Sequence, residues 1–177
     1  MKQGDLKRLL IFTGDGKGKT TAALGMAMRA LGHGLSVKII QFVKSDPDTG
    51  EIALMRRLPD LEIVQTGRGF VPPQSHPAFA DHAAAARTAL ALSREALASG
   101  QYQLVVLDEI CTAIHLALIS EQNVLELLSH AAQCLIVILT GRGATPGLIA
   151  LADTVTEMKC IKHGYESGIK AQKGVEI

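Results

Sequence analysis

Between an apolar run, Leu9 to Phe12, and a segment with helical periodicity lies Thr13-Gly14-Asp15-Gly16-Lys17-Gly18-Lys19-Thr20. No other stretch restricts the fold as much. Its alternating glycines let the backbone turn sharply and aim successive N–H groups at one anion. The segment after it, Thr20 to Leu31, carries Ala23, Ala27, Ala30 and Leu31 at helical spacing, and Gly32 and Gly34 stop it. That helix would add the positive end of its dipole to the turn. The closing Gly18-Lys19-Thr20 is the G-K-T of a P-loop, in which the lysine reaches the β- and γ-phosphates of a nucleotide and the hydroxyl binds Mg²⁺. The first glycine of the usual motif is Thr13 here, so the loop begins one residue late. Gly14, Asp15, Gly16, Lys17, Gly18, Lys19, Thr20 and the adjacent Thr21 are expected to hold the triphosphate of ATP. A ligand-free glycine turn is the competing reading, and the flanking strand and helix weigh against it.

Val37–Val43, Leu61–Gln65, Leu104–Leu107, Leu135–Leu139 and Asp153–Met158 read as further strands. Ala78–Ser99, about six turns long, reads as a helix, as do Ile110–Leu118 and Glu121–Ala132. Strands alternating with helices predict βαβ units: an α/β fold of the P-loop (RecA-like) class, with a mostly parallel sheet and helices on both faces. With no repeat and no low-complexity linker, residues 1–177 are expected to form one nucleotide-binding domain.

The balance of charge is nearly neutral at +1, no basic run exceeds Arg56-Arg57, and aromatic residues make up 3% with no Trp. Neither a basic surface nor a base-stacking platform is available, so no nucleic-acid partner is expected. The longest aliphatic run, Leu135 to Leu139, is too short for a bilayer, and Met1 to Arg8 lacks the apolar stretch of a signal peptide, so no membrane association is expected. Cys111, Cys134 and Cys160 are an odd set without CxxC spacing. They read as small buried hydrophobes of a cytoplasmic protein rather than as disulfides or a zinc site.

Leu104-Val105-Val106-Leu107-Asp108-Glu109 is an apolar strand ending in two carboxylates. At the carboxyl end of a parallel strand this pair can face the phosphate loop and bind its Mg²⁺, and spacing alone does not choose between Asp108 and Glu109. A solvated strand end is the alternative. Arg142, between Gly141 and Gly143 after another strand, can grip phosphate oxygens with two N–H groups or stand as a surface arginine. His33, His76, His82, His115, His130 and His163 show no metal-ligand spacing.

Taken in order, I-F-T-G-D-G-K-G-K-T-T-A-A (Ile11–Ala23), R-A-L-G-H-G (Arg29–Gly34), I-Q-F-V-K (Ile40–Lys44) and T-G-R-G-F (Thr66–Phe70) are followed by V-V-L-D-E (Val105–Glu109) and T-G-R-G (Thr140–Gly143). L-A-D-T-V-T-E-M (Leu151–Met158) and K-H-G-Y-E-S-G-I-K-A-Q-K-G (Lys162–Gly174) complete the set. Nearly the whole chain thereby resembles the P-loop corrinoid adenosyltransferases of the cobalamin pathway. Two departures stand out. Asp15 replaces the family's more frequent Asn, and its carboxylate can face Mg²⁺, a lysine or solvent. Val71-Pro72-Pro73 stands where some members carry Trp.

The resemblance implies that Co(I) of a reduced corrinoid attacks the 5′ carbon of ATP and that triphosphate leaves. Co(I) is a strong nucleophile, so what the protein must supply is alignment and stabilisation of the leaving charge. Lys17, Lys19, Thr20 with Mg²⁺ (or Mn²⁺) and Arg142 would stabilise that charge. Phe70 would displace the axial ligand of Co(II) and ease its reduction, with an electron from a flavoprotein or other reductase. The family also implies a homodimer. A kinase of a nucleotide or small molecule, which the loop and Asp108-Glu109 alone would serve, and a nucleotide-switched corrinoid carrier are the alternative readings.

Overall fold

The structure, a computed structural model, describes residues 8–55, 57–129, 131 and 135–175. The apolar runs become strands β1 (Arg8–Thr13), β2 (Val37–Gln41), β3 (Leu61–Gln65), β4 (Leu104–Asp108), β5 (Ile136–Thr140) and β6 (Thr154–Glu157). They form one sheet in the order β3-β2-β4-β5-β1-β6, and every pairing is parallel. The helices are α1 (Lys19–Gly32), α2 (Gly50–Met55), α3 (Phe79–Ala98), α4 (Ile110–His115), α5 (Glu121–Ser129) and α6 (Pro146–Leu151).

Side chains alternate across the pleat, and here both faces are buried. Ile11, Ile40, Val105, Leu107, Val137 and Leu139 point to one core, where α3, α4, α5 and α6 contribute Ala86, Ile110, Val124 and Leu148. Val37, Ile39, Leu104, Val106 and Ile138 point to the other, closed by Ala23, Ala27 and Ala30 of α1 and Ile52 of α2. Each Val, Leu or Ile among them contributes roughly 1.5–3 kcal/mol on burial. The face of α1 toward the sheet is alanine, so the helix lies close and its N-terminus stands directly after β1. Because all strands run the same way, the turns after β1, β2, β3, β4 and β5 gather at one edge, where ligands bind in such folds.

Several boundaries differ from those the sequence suggests. β2 stops at Gln41 because Val43 leaves the ladder to meet Gly67: a Cβ on Gly67 would lie 2.0 Å from the Val43 carbonyl carbon. α4 ends at His115, since Ala117 takes a left-handed φ of 57° and Leu118 bonds back to Ala113. α2 and α6 are not foreseen from periodicity. The signal for α6 is Thr145-Pro146: the Thr145 hydroxyl accepts from the Leu148 amide, and proline suits the first turn. α5 is seen to Ser129, and the rest of the expected segment to Ala132, like His130, Cys134 and Arg56, is largely outside the described residues. Cys160 is exposed, which corrects its reading as a buried hydrophobe: it follows β6, itself exposed along its length at the sheet edge. Among the described residues no helix is long and apolar enough to cross a membrane.

Candidate functional site

The phosphate loop closes against Met158, the residue after β6. The Gly16 N–H donates to the Met158 carbonyl at 2.6 Å, and the Met158 N–H donates to Thr13 O at 2.8 Å. Gly14 has φ 94°, and a Cβ there would fall 2.5 Å from the Met158 oxygen. This explains why the glycine stands one residue later than in the usual motif. Thr13 is used differently. Its hydroxyl accepts from the Ala144 N–H at 3.2 Å and ties the loop to the turn after β5. Lys19 is buried and spans the loop, its ammonium donating to Gly14 O and Gly16 O at 2.7 Å each. Burial pushes this ammonium below the usual lysine range, and the carboxylate of Glu109 opposes that shift.

The acidic pair divides its labour. Asp108 is 0% exposed and fully engaged. Thr20 and Thr140 donate to its Oδ1 at 2.8 and 2.7 Å, Gln41 donates to Oδ2 at 3.0 Å, and the Lys44 ammonium lies 3.1 Å from Oδ2. Lys44 also donates to the Thr20 hydroxyl at 3.1 Å. Sequence reasoning quoted Lys44 within I-Q-F-V-K but gave it no role; its place directly after an expected strand was the available signal. Glu109 follows in a left-handed conformation, φ 64°, stapled by its N–H to the Thr140 hydroxyl at 2.9 Å. The turn swings its carboxylate away from the network of Asp108, where it accepts from Thr112.

Two cavities flank the loop and share Glu109. The first, about 380 Å³, runs along Lys17, Lys19, Thr20 and Thr21 to Lys44 and Glu51, with Val175 of the C-terminal tail at its rim. Lys17 donates to the Val175 carbonyl at 2.6 Å. The second, about 870 Å³, lies beyond Asp15 and is walled by Thr112, His115, Arg142 and Glu157. Asp15 faces Arg142 here, at 3.8 Å, with both side chains largely in water. Such an exposed pair contributes little to stability. Phe70 is in the wall of neither cavity. It stands 91% exposed on the turn after β3, at the same sheet edge. That turn is held by the Gly69 N–H donating to Val43 O at 2.8 Å.

For a divalent cation the Thr20 hydroxyl is a hard oxygen donor with Glu109 nearby, while Asp108, taken up by its four partners, acts through Thr20. Among the described residues no group of three or more His, Cys, Asp or Glu side chains gathers to hold an ion. Cys111, between Glu109 and the core, is buried and its thiol is pushed up to about 12, first by burial and then by the Glu109 charge. It is an inert core residue rather than a nucleophile.

Fold and site together define a P-loop nucleotide-binding protein of the α/β class. Residues 6–177 match the family described as ATP:corrinoid adenosyltransferase BtuR/CobO/CobP, and the chain belongs to that family. It is 43% identical over 170 residues to a corrinoid adenosyltransferase of Pseudomonas aeruginosa, covering 96% of this chain and 83% of that one. It is 34% identical over 169 residues to the corrinoid adenosyltransferase of Escherichia coli, covering 95% and 84%. Among solved structures it resembles the flagellar accessory protein FlaH from Methanocaldococcus jannaschii, with a TM-score of 0.56 and 13% identity over 87% of this chain and 71% of that one. That likeness concerns the fold.

Proposed function

We propose that this chain, as one domain over residues 1–177, transfers the 5′-deoxyadenosyl group of ATP to Co(I) of a reduced corrinoid and releases triphosphate. The cobalt lone pair forms the Co–C bond as the bond from C5′ to the triphosphate oxygen breaks, and the leaving group carries away that electron pair. No base is needed. Lys19, the loop amides and Thr20 hold the triphosphate, and Lys17 and Arg142 add positive charge once released from Val175 and Asp15. A divalent cation, Mg²⁺ or Mn²⁺, would neutralise charge on the leaving group, held by Thr20 and faced by Glu109. Asp108, saturated by four partners, orients Thr20 rather than reacting.

The observation that carries the placement of the corrinoid is Phe70. It stands almost wholly exposed on a braced turn at the ligand-binding edge of the sheet, the kind of loop position that carries function. A flat macrocycle covers it, with the ring in the axial position of Co(II). The electron comes from a separate flavoprotein or other reductase. The exposed apolar side chains Val155, Ile161, Tyr165 and Ile169, on and after edge strand β6, support a homodimer.

Incubation with ATP, Mg²⁺ and chemically reduced cob(I)alamin is expected to yield inorganic triphosphate and a light-sensitive Co–C bond in equal amounts. ADP with a phosphorylated acceptor would instead assign a kinase, and corrinoid binding without turnover a carrier. Phe70→Ala should slow the reaction started from Co(II) by about 100-fold and that from pre-formed Co(I) by less than about threefold. Equal losses would remove Phe70 from the reduction step.

A further inference from the structure

Asp15 is the only carboxylate between Thr13 and Thr20, and an acid among groups that grip an anion works against them. Its place on the loop is not loose. Cβ atoms on Gly14 and Gly16, the residues on either side, would fall 2.5 and 2.7 Å from the Met158 oxygen, and the Gly16 N–H donates to that carbonyl. The turn that carries Arg142 is pinned as firmly. The Arg142 N–H donates to the Thr112 hydroxyl at 2.9 Å, and a Cβ on Gly141 would lie 2.5 Å from the Thr112 nitrogen. Between these two fixed backbones the side chains meet at 3.8 Å, beyond hydrogen-bond length, with Arg142 61% and Asp15 81% exposed. Their contact is electrostatic, costs little to break, and re-forms by side-chain rotation alone. Both charges also reach the Lys19 ammonium. Burial depresses it most; Glu109 opposes that shift, Arg142 deepens it and Asp15 opposes it. The pair therefore stands within electrostatic reach of the lysine that grips the phosphates.

Adenosyl transfer changes what these groups hold. The triphosphate enters as part of ATP and gains a negative charge when its bond to C5′ breaks with the electron pair. Every cation that stabilises this charge as it develops also binds the finished product. Lys19 and Arg142 thus favour the chemistry and oppose the departure of triphosphate, and product release sets the turnover of many enzymes. A carboxylate fixed opposite Arg142 offsets this, because it gives the guanidinium a partner to return to. We propose that Asp15 is a positioning residue for Arg142: it competes with the triphosphate for the guanidinium and thereby limits how tightly the product is retained. The proposal rests on the adenosyl-transfer reading above, in which triphosphate leaves whole.

Calorimetric titration of the protein with inorganic triphosphate and Mg²⁺ is the test. Asp15→Asn keeps the shape of the side chain and removes its charge at an exposed position, so it should lower the Kd for triphosphate about fivefold. Tighter binding cannot come from misfolding. In an Arg142→Gln background the same change should move that Kd by less than about 1.5-fold, because the group competed for is gone. In the assay with ATP and cob(I)alamin, added triphosphate should inhibit Asp15→Asn about fivefold more strongly than wild type. A triphosphate Kd unchanged or raised by Asp15→Asn, or a full effect that survives Arg142→Gln, overturns the role of Asp15. If the wild-type protein forms no Co–C bond and releases no triphosphate from ATP, the transfer reading fails, whatever the titrations give.

Discussion

Lys19→Ala is expected to lower kcat/KM for ATP by about 10³-fold, the scale on which single preorganised charges act on a developing anion. The ammonium bridges the carbonyls of Gly14 and Gly16, which fixes the donor within the loop. Its burial makes the charge more effective, because less water screens it. The loss should fall on kcat as well as KM, since triphosphate charge grows as the bond to C5′ breaks. Steady-state kinetics with cob(I)alamin in excess would measure it, and a loss below about tenfold would mean that Lys19 only braces the loop. The variant leaves the function class open, as any P-loop enzyme would suffer the same change.

Asp108→Ala is expected to be the most damaging single change to the fold near the site. It takes from the Lys44 ammonium its nearer carboxylate, leaving Glu51 at 3.9 Å, and leaves Gln41, Thr20 and Thr140 without their common acceptor, all around a carboxylate with no solvent exposure. Removing one partner of a buried ion pair costs about 3–5 kcal/mol, which for a chain of this size corresponds to a fall in Tm of about 6–20 °C. Asp108→Asn keeps the shape and some of the hydrogen bonds, so it should recover part of that loss while still impairing ATP use through a misdirected Thr20. Differential scanning calorimetry on both variants is the measurement. A Tm for the alanine variant within about 2 °C of wild type would show that the network rearranges without cost.

The sheet and the phosphate loop are legible in the sequence because their signals are local and periodic. Val37, Ile39, Val105 and Leu139 lie in β-branched or aliphatic runs, and Gly14-Asp15-Gly16-Lys17-Gly18-Lys19-Thr20 needs no tertiary context to be read. What escapes is set by contacts between distant segments. The apolar run of β2 continues past the strand's true end, which depends on Gly67 approaching Val43. Short helices α2 and α6 carry little periodicity, and only the Thr145-Pro146 cap marks one of them. In the site, Asp108 and Glu109 cannot be told apart by spacing. The left-handed backbone at Glu109 separates them, and it is fixed by Thr140 from a different strand. Asp15 likewise meets Arg142 rather than a lysine, a pairing that joins turns after β1 and β5.

The closure of the phosphate loop on Met158 has a consequence in time. Both sheet neighbours of β1, β5 and β6, belong to the last third of the chain, and so does the carbonyl that takes the Gly16 N–H. The loop leaves the ribosome well before its backing. At about 5–20 residues per second, the interval is roughly 7–30 s. During synthesis the glycines therefore have no wall to fold against, and a nascent chain gains its grip on nucleotide only once Met158 has been made. A premature stop before residue 158 would yield a polypeptide that carries the whole motif yet lacks the backing that shapes it.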